Sequence, residues 1–213
     1  ELQETAAVLF QEFKKLGVSE LFYSLQGEGA RAGTPTVFIR LQGCKTKHAC
    51  AAMGIVGDTE FESGGPWTLS ELWGWMKQNA AGCMEITWTG GEPLDQLTAE
   101  HVAWFKERGY FQAIETSGLR PTIAGLDHVT VSPKVAEHIV AKNFPDGVTE
   151  LRYVRHAGQD IPQPSIKALH HYLSPHSDGF TINRTNLAHC TNLCLKHPTW
   201  KLSVQQHKNW KVL

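Results

Sequence analysis

Three short motifs carry groups that can hold a polar ligand, and each follows a segment expected to form a strand. GGEP at Gly90 offers two glycines, which let backbone approach a ligand closely, and the carboxylate of Glu92, which can accept from an ammonium group. ETSG at Glu115 adds a second carboxylate and two hydroxyls, and SPK at Ser132 adds a hydroxyl and the cation of Lys134. One such motif is common in ordinary loops. Three in succession favour a zwitterionic ligand lying across adjacent strand ends.

Two cysteines lie close together on a long loop and suggest a metal centre. Cys44 ends the segment FIRLQGC, and Cys50 follows after five residues. Thiolates this close on an aperiodic loop suit an iron–sulfur cluster or Zn2+ better than a disulfide. Two thiolates do not complete such a site, and packing as small apolar side chains explains them equally well. His48 lies between them and could serve as a nitrogen ligand.

The remaining cysteines are expected to pack in the core. Cys83 precedes a predicted strand, and Cys190 and Cys194 lie one helical turn apart on the apolar face of a predicted helix. Five widely spaced cysteines in a chain of 213 residues indicate reduced thiols and a cytoplasmic protein.

The charge and hydrophobicity of the chain indicate which kinds of molecule it binds. The formal net charge of -1, with lysine and arginine dispersed, does not favour nucleic acid or an anionic membrane surface. No apolar run approaches the length of a membrane-spanning helix, and the N-terminus does not resemble a secretory signal. A small-molecule substrate is therefore expected.

Strand-like and helix-like segments, which must position these motifs, alternate along most of the chain. Strands are expected over 37–41, 84–89, 111–115, 128–132, 149–154, 179–182 and 201–205. Helices are expected over 4–16, ending at Gly17, and over 69–79, 99–108, 135–142, 165–173 and 184–196. We expect a single α/β domain, 1–213, forming an incomplete parallel β/α barrel of about six units, with 4–16 as an extra helix. In such folds the C-terminal strand ends meet at one site. The long aperiodic segment 43–68 is expected to be a functional loop.

The ordered motifs, from FYSLQGEG at Phe22 to the C-terminal SVQQHK, resemble the 7-carboxy-7-deazaguanine synthase family. The resemblance implies a barrel of the radical S-adenosylmethionine type and a carbon–nitrogen lyase of queuosine biosynthesis. Its substrate would be 6-carboxy-5,6,7,8-tetrahydropterin, and the reaction would release ammonia. The implied cofactors are a 4Fe–4S cluster, S-adenosylmethionine and Mg2+. The implied partners are an electron donor such as flavodoxin or ferredoxin, and a second copy of the chain in a homodimer.

The resemblance also implies roles for individual residues. Substrate binding would fall to Gln26, Glu28, Arg40 and Gly91. S-adenosylmethionine binding would fall to Gly90, Glu92, Glu115, Ser117, Ser132 and Lys134. The cluster would be held by Cys44 and Cys50, and Mg2+ by Thr59.

One departure from the family pattern leaves alternatives open. Gly57 stands where the family has its last cluster cysteine. The change is an engineered substitution, a natural loss compensated by His48 or Asp58, or a sign that radical chemistry has been abandoned. The last case predicts a relative that binds S-adenosylmethionine or a pterin without turnover. A third possibility is radical chemistry on a different heterocycle, since a fold does not fix a substrate; the QGEG and SVQQHK motifs argue against it.

Overall fold

The computed structural model describes residues 15–44, 62–179 and 181–212. Within these ranges nine strands form one sheet in the order β3-β1-β2-β4-β5-β6-β7-β8-β9. The strands are β1 Leu16–Leu25, β2 Pro35–Leu41, β3 Gly65–Trp67, β4 Glu85–Gly90, β5 Phe111–Thr116, β6 His128–Val131, β7 Val148–Arg155, β8 Ala168–Pro175 and β9 Lys201–Leu202. β1 is antiparallel to both of its neighbours, and every other pair is parallel. The sheet is open and mostly parallel, which agrees with the expected incomplete barrel.

Five α-helices lie in the described ranges, in addition to the short 3-10 helices Gly29–Arg31 and Pro93–Asp95. The α-helices are α1 Leu69–Asn79, α2 Ala99–Lys106, α3 Glu137–Ala141, α4 Arg184–Lys196 and α5 Gln206–Trp210. α1 begins as predicted with a capping box: Thr68 Oγ1 accepts from Glu71 N at 3.2 Å, and the Glu71 carboxylate accepts from Thr68 N at 2.7 Å. None of the described helices combines the length and apolarity needed to span a membrane.

The two faces of the sheet differ in chemistry because successive side chains on a strand point to opposite faces. One face carries apolar side chains that form cores with the helices: Ile39 of β2 and Leu72 of α1 belong to one core, and Leu173 of β8 and Cys190 of α4 belong to another. Burial raises the pKa of the Cys190 thiol to about 11, so this cysteine packs as an apolar group, as predicted. The opposite face, here called the polar face, carries the side chains Thr36, Arg40, Thr87, Thr89, Glu115, Thr130, Glu150 and Arg152.

Three predicted elements differ from the structure. The helix over 165–173 is wrong, because β8 pairs there with β7; Leu169, which a helical stripe would bury, is 77% exposed. Of the strand predicted over 179–182, Phe180 lies outside the described residues, and Thr181 forms an isolated bridge with Asp178. Leu16, placed at the end of the N-terminal helix, begins β1 opposite Trp67; the rest of that helix lies outside the described residues.

The predicted loop over 43–68 contains one strand that the sequence did not indicate. β3 extends the sheet beyond β1. Residues 45–61, which make up most of that loop, lie outside the described residues.

Candidate active site

The GGEP turn lies directly against the end of β2. Gly91 N donates to Leu41 O at 3.0 Å, and Glu92 N donates to Gly43 O at 3.0 Å. A Cβ on Gly91 would overlap the Gly43 carbonyl oxygen and lie 3.1 Å from Cys44 Cβ. Gly90 has φ +121°, a conformation that glycine adopts without strain. The two glycines therefore allow the ends of β2 and β4 to meet beside Cys44.

The Glu92 carboxylate joins the ends of β4 and β5. It accepts from Thr116 Oγ1 at 2.6 Å, from Ser117 N at 3.0 Å, from the Ser117 hydroxyl, and from Leu94 N at 3.2 Å. Glu92 is 1% exposed. Its two oxygens are thus occupied by protein donors, so Glu92 shapes the strand ends as well as being a predicted ligand.

The end of β6 joins the same group. Ser132 N donates to Thr116 O at 2.9 Å, and Lys134 Nζ donates to Ser132 Oγ at 3.2 Å. The structure therefore places the GGEP, ETSG and SPK motifs in one hydrogen-bonded row that starts at Cys44. We call this row the strand-tip site.

The QGEG segment reaches the polar face from the opposite end of the sheet, because β1 runs antiparallel to β2. Gly29 N donates to Ser203 Oγ at 2.9 Å, and Gln206 N donates to Gly27 O at 2.9 Å. A Cβ on Gly27 would overlap the His207 ring. The SVQQHK segment is thus packed against QGEG.

A buried guanidinium, that of Arg152, lies on the polar face on β7. Arg152 Nη2 contacts Glu150 Oε1 at 2.7 Å, and Arg152 Nη1 lies 3.3 Å from both Glu28 Oε2 and Glu115 Oε1. His128 Nε2 lies 3.5 Å from the other Glu150 oxygen. We call these five residues the Arg152 cluster.

Contacts within the Arg152 cluster shift the pKa values of Glu150 and Arg152. Burial raises the pKa of Glu150, but a hydrogen bond from His128, the charge of Arg152 and the Ala30 N–H outweigh burial and lower the pKa to about 2. Burial lowers the pKa of Arg152, but the carboxylates of Glu28, Glu115 and Glu150 outweigh that effect and raise it above its ordinary value. Glu150 and Arg152 therefore form a permanently charged pair at neutral pH.

Glu115 lies beside residues predicted for the substrate. Gln26 Nε2 donates to Glu115 Oε1 at 3.2 Å, and Thr89 Oγ1 donates to Glu115 Oε2 at 3.2 Å. Arg40 pairs in register with Thr89, so it shares this face, and its Nε donates to Glu20 Oε2 at 2.9 Å. The structure places Glu115 near Gln26 and Glu28, which are predicted to bind the substrate. The family resemblance had instead assigned Glu115, with Glu92, to the S-adenosylmethionine site.

Several predicted metal ligands lie outside the described residues. These are Cys50, Thr59 and the alternatives His48 and Asp58, together with Gly57. Within the described residues no three potential ligands form a metal-binding group. Of the predicted cluster ligands, only Cys44 lies in the described residues, where it forms no disulfide, and the described part of the chain does not form a cluster site by itself.

Sequence reasoning missed Glu150, Arg152, His128 and the role of Ser203. One signal was present: TELRYV places Glu150 and Arg152 two residues apart, hence on the same face of a strand that is otherwise apolar. Charged side chains are rarely buried unless they are paired.

Known proteins resemble this chain over most of its length, although no protein-family model matches it. The 7-carboxy-7-deazaguanine synthase of Bacteroides thetaiotaomicron is 35% identical over 194 residues, covering 90% of this chain and 95% of that protein. The protein of the same name from Neisseria meningitidis serogroup B is 34% identical over 203 residues, covering 90% and 91%. The crystal structure of QueE from Escherichia coli shares the fold, with a TM-score of 0.66 at 23% identity, covering 93% of this chain and 97% of that chain. The chain belongs to the 7-carboxy-7-deazaguanine synthase family.

Proposed function

We propose that this chain is a radical S-adenosylmethionine lyase that converts 6-carboxy-5,6,7,8-tetrahydropterin to 7-carboxy-7-deazaguanine with loss of ammonia. Family membership supports the reaction. The observation that carries the proposal is the juxtaposition of two sites: the strand-tip site begins at Cys44, and the Arg152 cluster lies on the polar face of the same sheet. Such an arrangement accommodates a cofactor and a substrate side by side.

The strand-tip site is proposed to bind S-adenosylmethionine. Gly90 and Gly91 present backbone, Ser132 presents a hydroxyl, and Lys134 presents a cation near the nucleoside end. An ammonium group of the ligand would replace the Ser117 hydroxyl as a donor to Glu92.

The polar face is proposed to bind the pterin. Its pyrimidine ring presents N–H donors, which the carboxylates of Glu28 and Glu115 accept, while Gln26 offers both a donor and an acceptor. Arg40 would exchange Glu20 for the substrate carboxylate, which its planar guanidinium meets with two parallel hydrogen bonds. Gly91 would contact the substrate where the two sites meet.

The remaining assignments belong to the same proposal. When bound, a 4Fe–4S cluster and S-adenosylmethionine supply one-electron, hydrogen-abstracting chemistry. Cys44 and Cys50 would hold the cluster, with Gly57 at the third position, and Thr59 would bind Mg2+. The chain would work in the cytoplasm as a homodimer, with flavodoxin or ferredoxin as electron donor. Its own residues orient the substrate C–H bond and exclude water.

Anaerobic reconstitution tests the proposal. The protein is loaded with iron and sulfide, given S-adenosylmethionine, dithionite and the tetrahydropterin, and the products are analysed by mass spectrometry. We expect 7-carboxy-7-deazaguanine, with a higher yield from Gly57→Cys because the variant restores a thiolate. Absence of that product from both proteins, despite full cluster loading, would refute the proposed reaction.

Gly57 favours a second candidate, a relative that binds these ligands without turnover. Binding of S-adenosylmethionine to metal-free protein separates the two. Tight binding without iron, together with no turnover after reconstitution, supports the second candidate. Binding that requires the cluster supports the first.

A further inference from the structure

A single guanidinium, that of Arg152, contacts carboxylates from three separate parts of the chain. Glu150 lies on the same strand, Glu115 lies on β5, and Glu28 lies in the segment that crosses the polar face after β1. Arg152 is 7% exposed, so its charge is screened little by water. The arrangement brings one buried cation and three carboxylates into contact.

The three carboxylates are not equivalent. The Glu150 side chain is 1% exposed, and both of its oxygens are used: Oε1 accepts from Arg152 Nε and Nη2, and Oε2 accepts from Ala30 N. The side chains of Glu28 and Glu115 are 17% and 27% exposed. Glu150 is therefore an anchor for Arg152, and the other two carboxylates retain surface for a ligand.

We propose that Arg152 is a positioning residue for the substrate: it holds the carboxylates of Glu28 and Glu115 side by side, so that both accept hydrogen bonds from N–H groups of the pterin. The inference rests on the proposed function and adds to it a residue that acts through two others. Arg152 Nη1 lies 3.3 Å from each carboxylate: it donates a hydrogen bond to Glu115 Oε1 and forms an ion pair with Glu28 Oε2. Neutral hydrogen bonds from Ser174 Oγ to Glu28 and from Thr89 Oγ1 to Glu115 support the same orientation.

Charge is central to this role. Among the described residues, the titratable groups that face Arg152 or its partners include Glu28, Glu115, Glu150, His128 and Tyr172. Without the guanidinium, three carboxylates would face one another across a small space, and proton uptake by one of them would relieve the repulsion. A protonated carboxyl group carries an O–H donor on one oxygen. That oxygen would face the N–H donors of the pterin donor to donor, instead of accepting hydrogen bonds from them.

The test is the pH dependence of pterin binding to Arg152→Met. Equilibrium binding of 6-carboxy-5,6,7,8-tetrahydropterin is measured anaerobically on the reconstituted protein. The variant should bind about 100-fold more weakly than the parent chain near pH 6 and recover most of this loss towards about pH 9, as the carboxyl groups lose their protons. The parent chain should change little over this range. S-adenosylmethionine affinity should stay within about threefold.

Three further variants make the test specific. Arg152→Lys keeps a cation but not the planar set of donors, so it should bind with intermediate affinity and the parent pH profile. Arg108→Met makes the matched change at an exposed arginine that packs on Trp104, and it should behave as the parent chain. If Arg152→Met does not fold, Glu150→Gln/Arg152→Met removes the anchor's charge as well and should show the same pH signature.

The outcomes separate this inference from the proposed function. A parent chain that does not bind the pterin overturns the proposed function and this role with it. A parent chain that binds, with an Arg152→Met variant equally weakened at every pH or not weakened at all, overturns only the positioning role. Recovery of binding with rising pH in Arg152→Met, absent from Arg152→Lys, supports it.

Discussion

The strand-tip site and the Arg152 cluster lie on one sheet but are built from different interactions. At the strand tips, backbone groups approach one another, with Gly91, Glu92 and Ser132 each donating an N–H to the neighbouring strand end at 2.9 to 3.0 Å. In the Arg152 cluster, charged side chains from distant segments meet around one guanidinium. Shape therefore dominates the first region and charge the second. Added volume should damage the tips, and altered charge or pH should damage the cluster.

The largest effect is expected from adding one methyl group at the strand tips. In Gly91→Ala the new Cβ would overlap Gly43 O, so the GGEP turn must move away from β2 and Cys44. A displacement of about 1 Å at a reacting centre costs about 100-fold in rate, and we expect at least that loss in kcat/KM. Steady-state assays of the reconstituted enzyme measure it.

Gly74→Ala is the matched control. Gly74 lies in α1, where an added Cβ would meet nothing within 4 Å. Alanine is the better helix former, so the variant should keep full activity and gain about 0.5–1 kcal/mol in stability. Equal losses of activity in both glycine variants would show that the close approach at Gly91 is unimportant.

The next effect concerns the buried carboxylate of Glu92 at the strand tips. Glu92→Ala removes the acceptor for Thr116, Ser117 and Leu94, and leaves the buried Thr116 hydroxyl and two partly buried N–H groups without this partner. We expect a loss of about 2 kcal/mol in the free energy of unfolding, measured by urea denaturation. The exposed Glu107→Ala should change stability by less than about 0.5 kcal/mol. A Glu92→Ala protein as stable as the Glu107→Ala control would contradict the structural role.

The Arg152 cluster should affect the free energy of unfolding at acidic pH. The folded-state pKa of Glu150 is lowered to about 2, whereas its ordinary value is 4.5. Its contribution to stability is therefore complete above about pH 5 and is lost as pH falls towards 2. Glu150→Gln should flatten this part of the curve of unfolding free energy against pH. An unchanged acid slope in the variant would show that Glu150 is not held ionised by its neighbours.

The smallest effect is expected from one neutral hydrogen bond in the same region. Thr89→Val keeps the side-chain shape but removes the hydroxyl that donates to Glu115. We expect pterin affinity to fall by about 1 kcal/mol, or roughly fivefold, and S-adenosylmethionine affinity to stay unchanged. Titration with each ligand measures both. A larger loss than that of Arg152→Met would place the orienting function in Thr89 instead.

Local rules and parallel-sheet geometry account for what could be predicted from sequence. The start of α1 was predictable because Thr68 and Glu71 cap it within three residues. The strand-tip site was predictable because parallel strands end at the same edge. The β8 strand was misassigned because its pairing with β7 is non-local and overrides a helix-like stripe. The Arg152 cluster was missed because Glu28 approaches Arg152 only after the chain has folded.

The strand-tip site and the Arg152 cluster are proposed to bind different ligands, and paired binding measurements distinguish the two sites. S-adenosylmethionine and the tetrahydropterin are each titrated, near pH 6, into reconstituted Gly91→Ala and Arg152→Met proteins. We predict that Gly91→Ala loses S-adenosylmethionine affinity together with some pterin affinity, because Gly91 lies where the two sites meet, and that Arg152→Met loses only pterin affinity. Separate ligand sites would be contradicted if Arg152→Met lost mainly S-adenosylmethionine affinity, or if it lost affinity for both ligands equally.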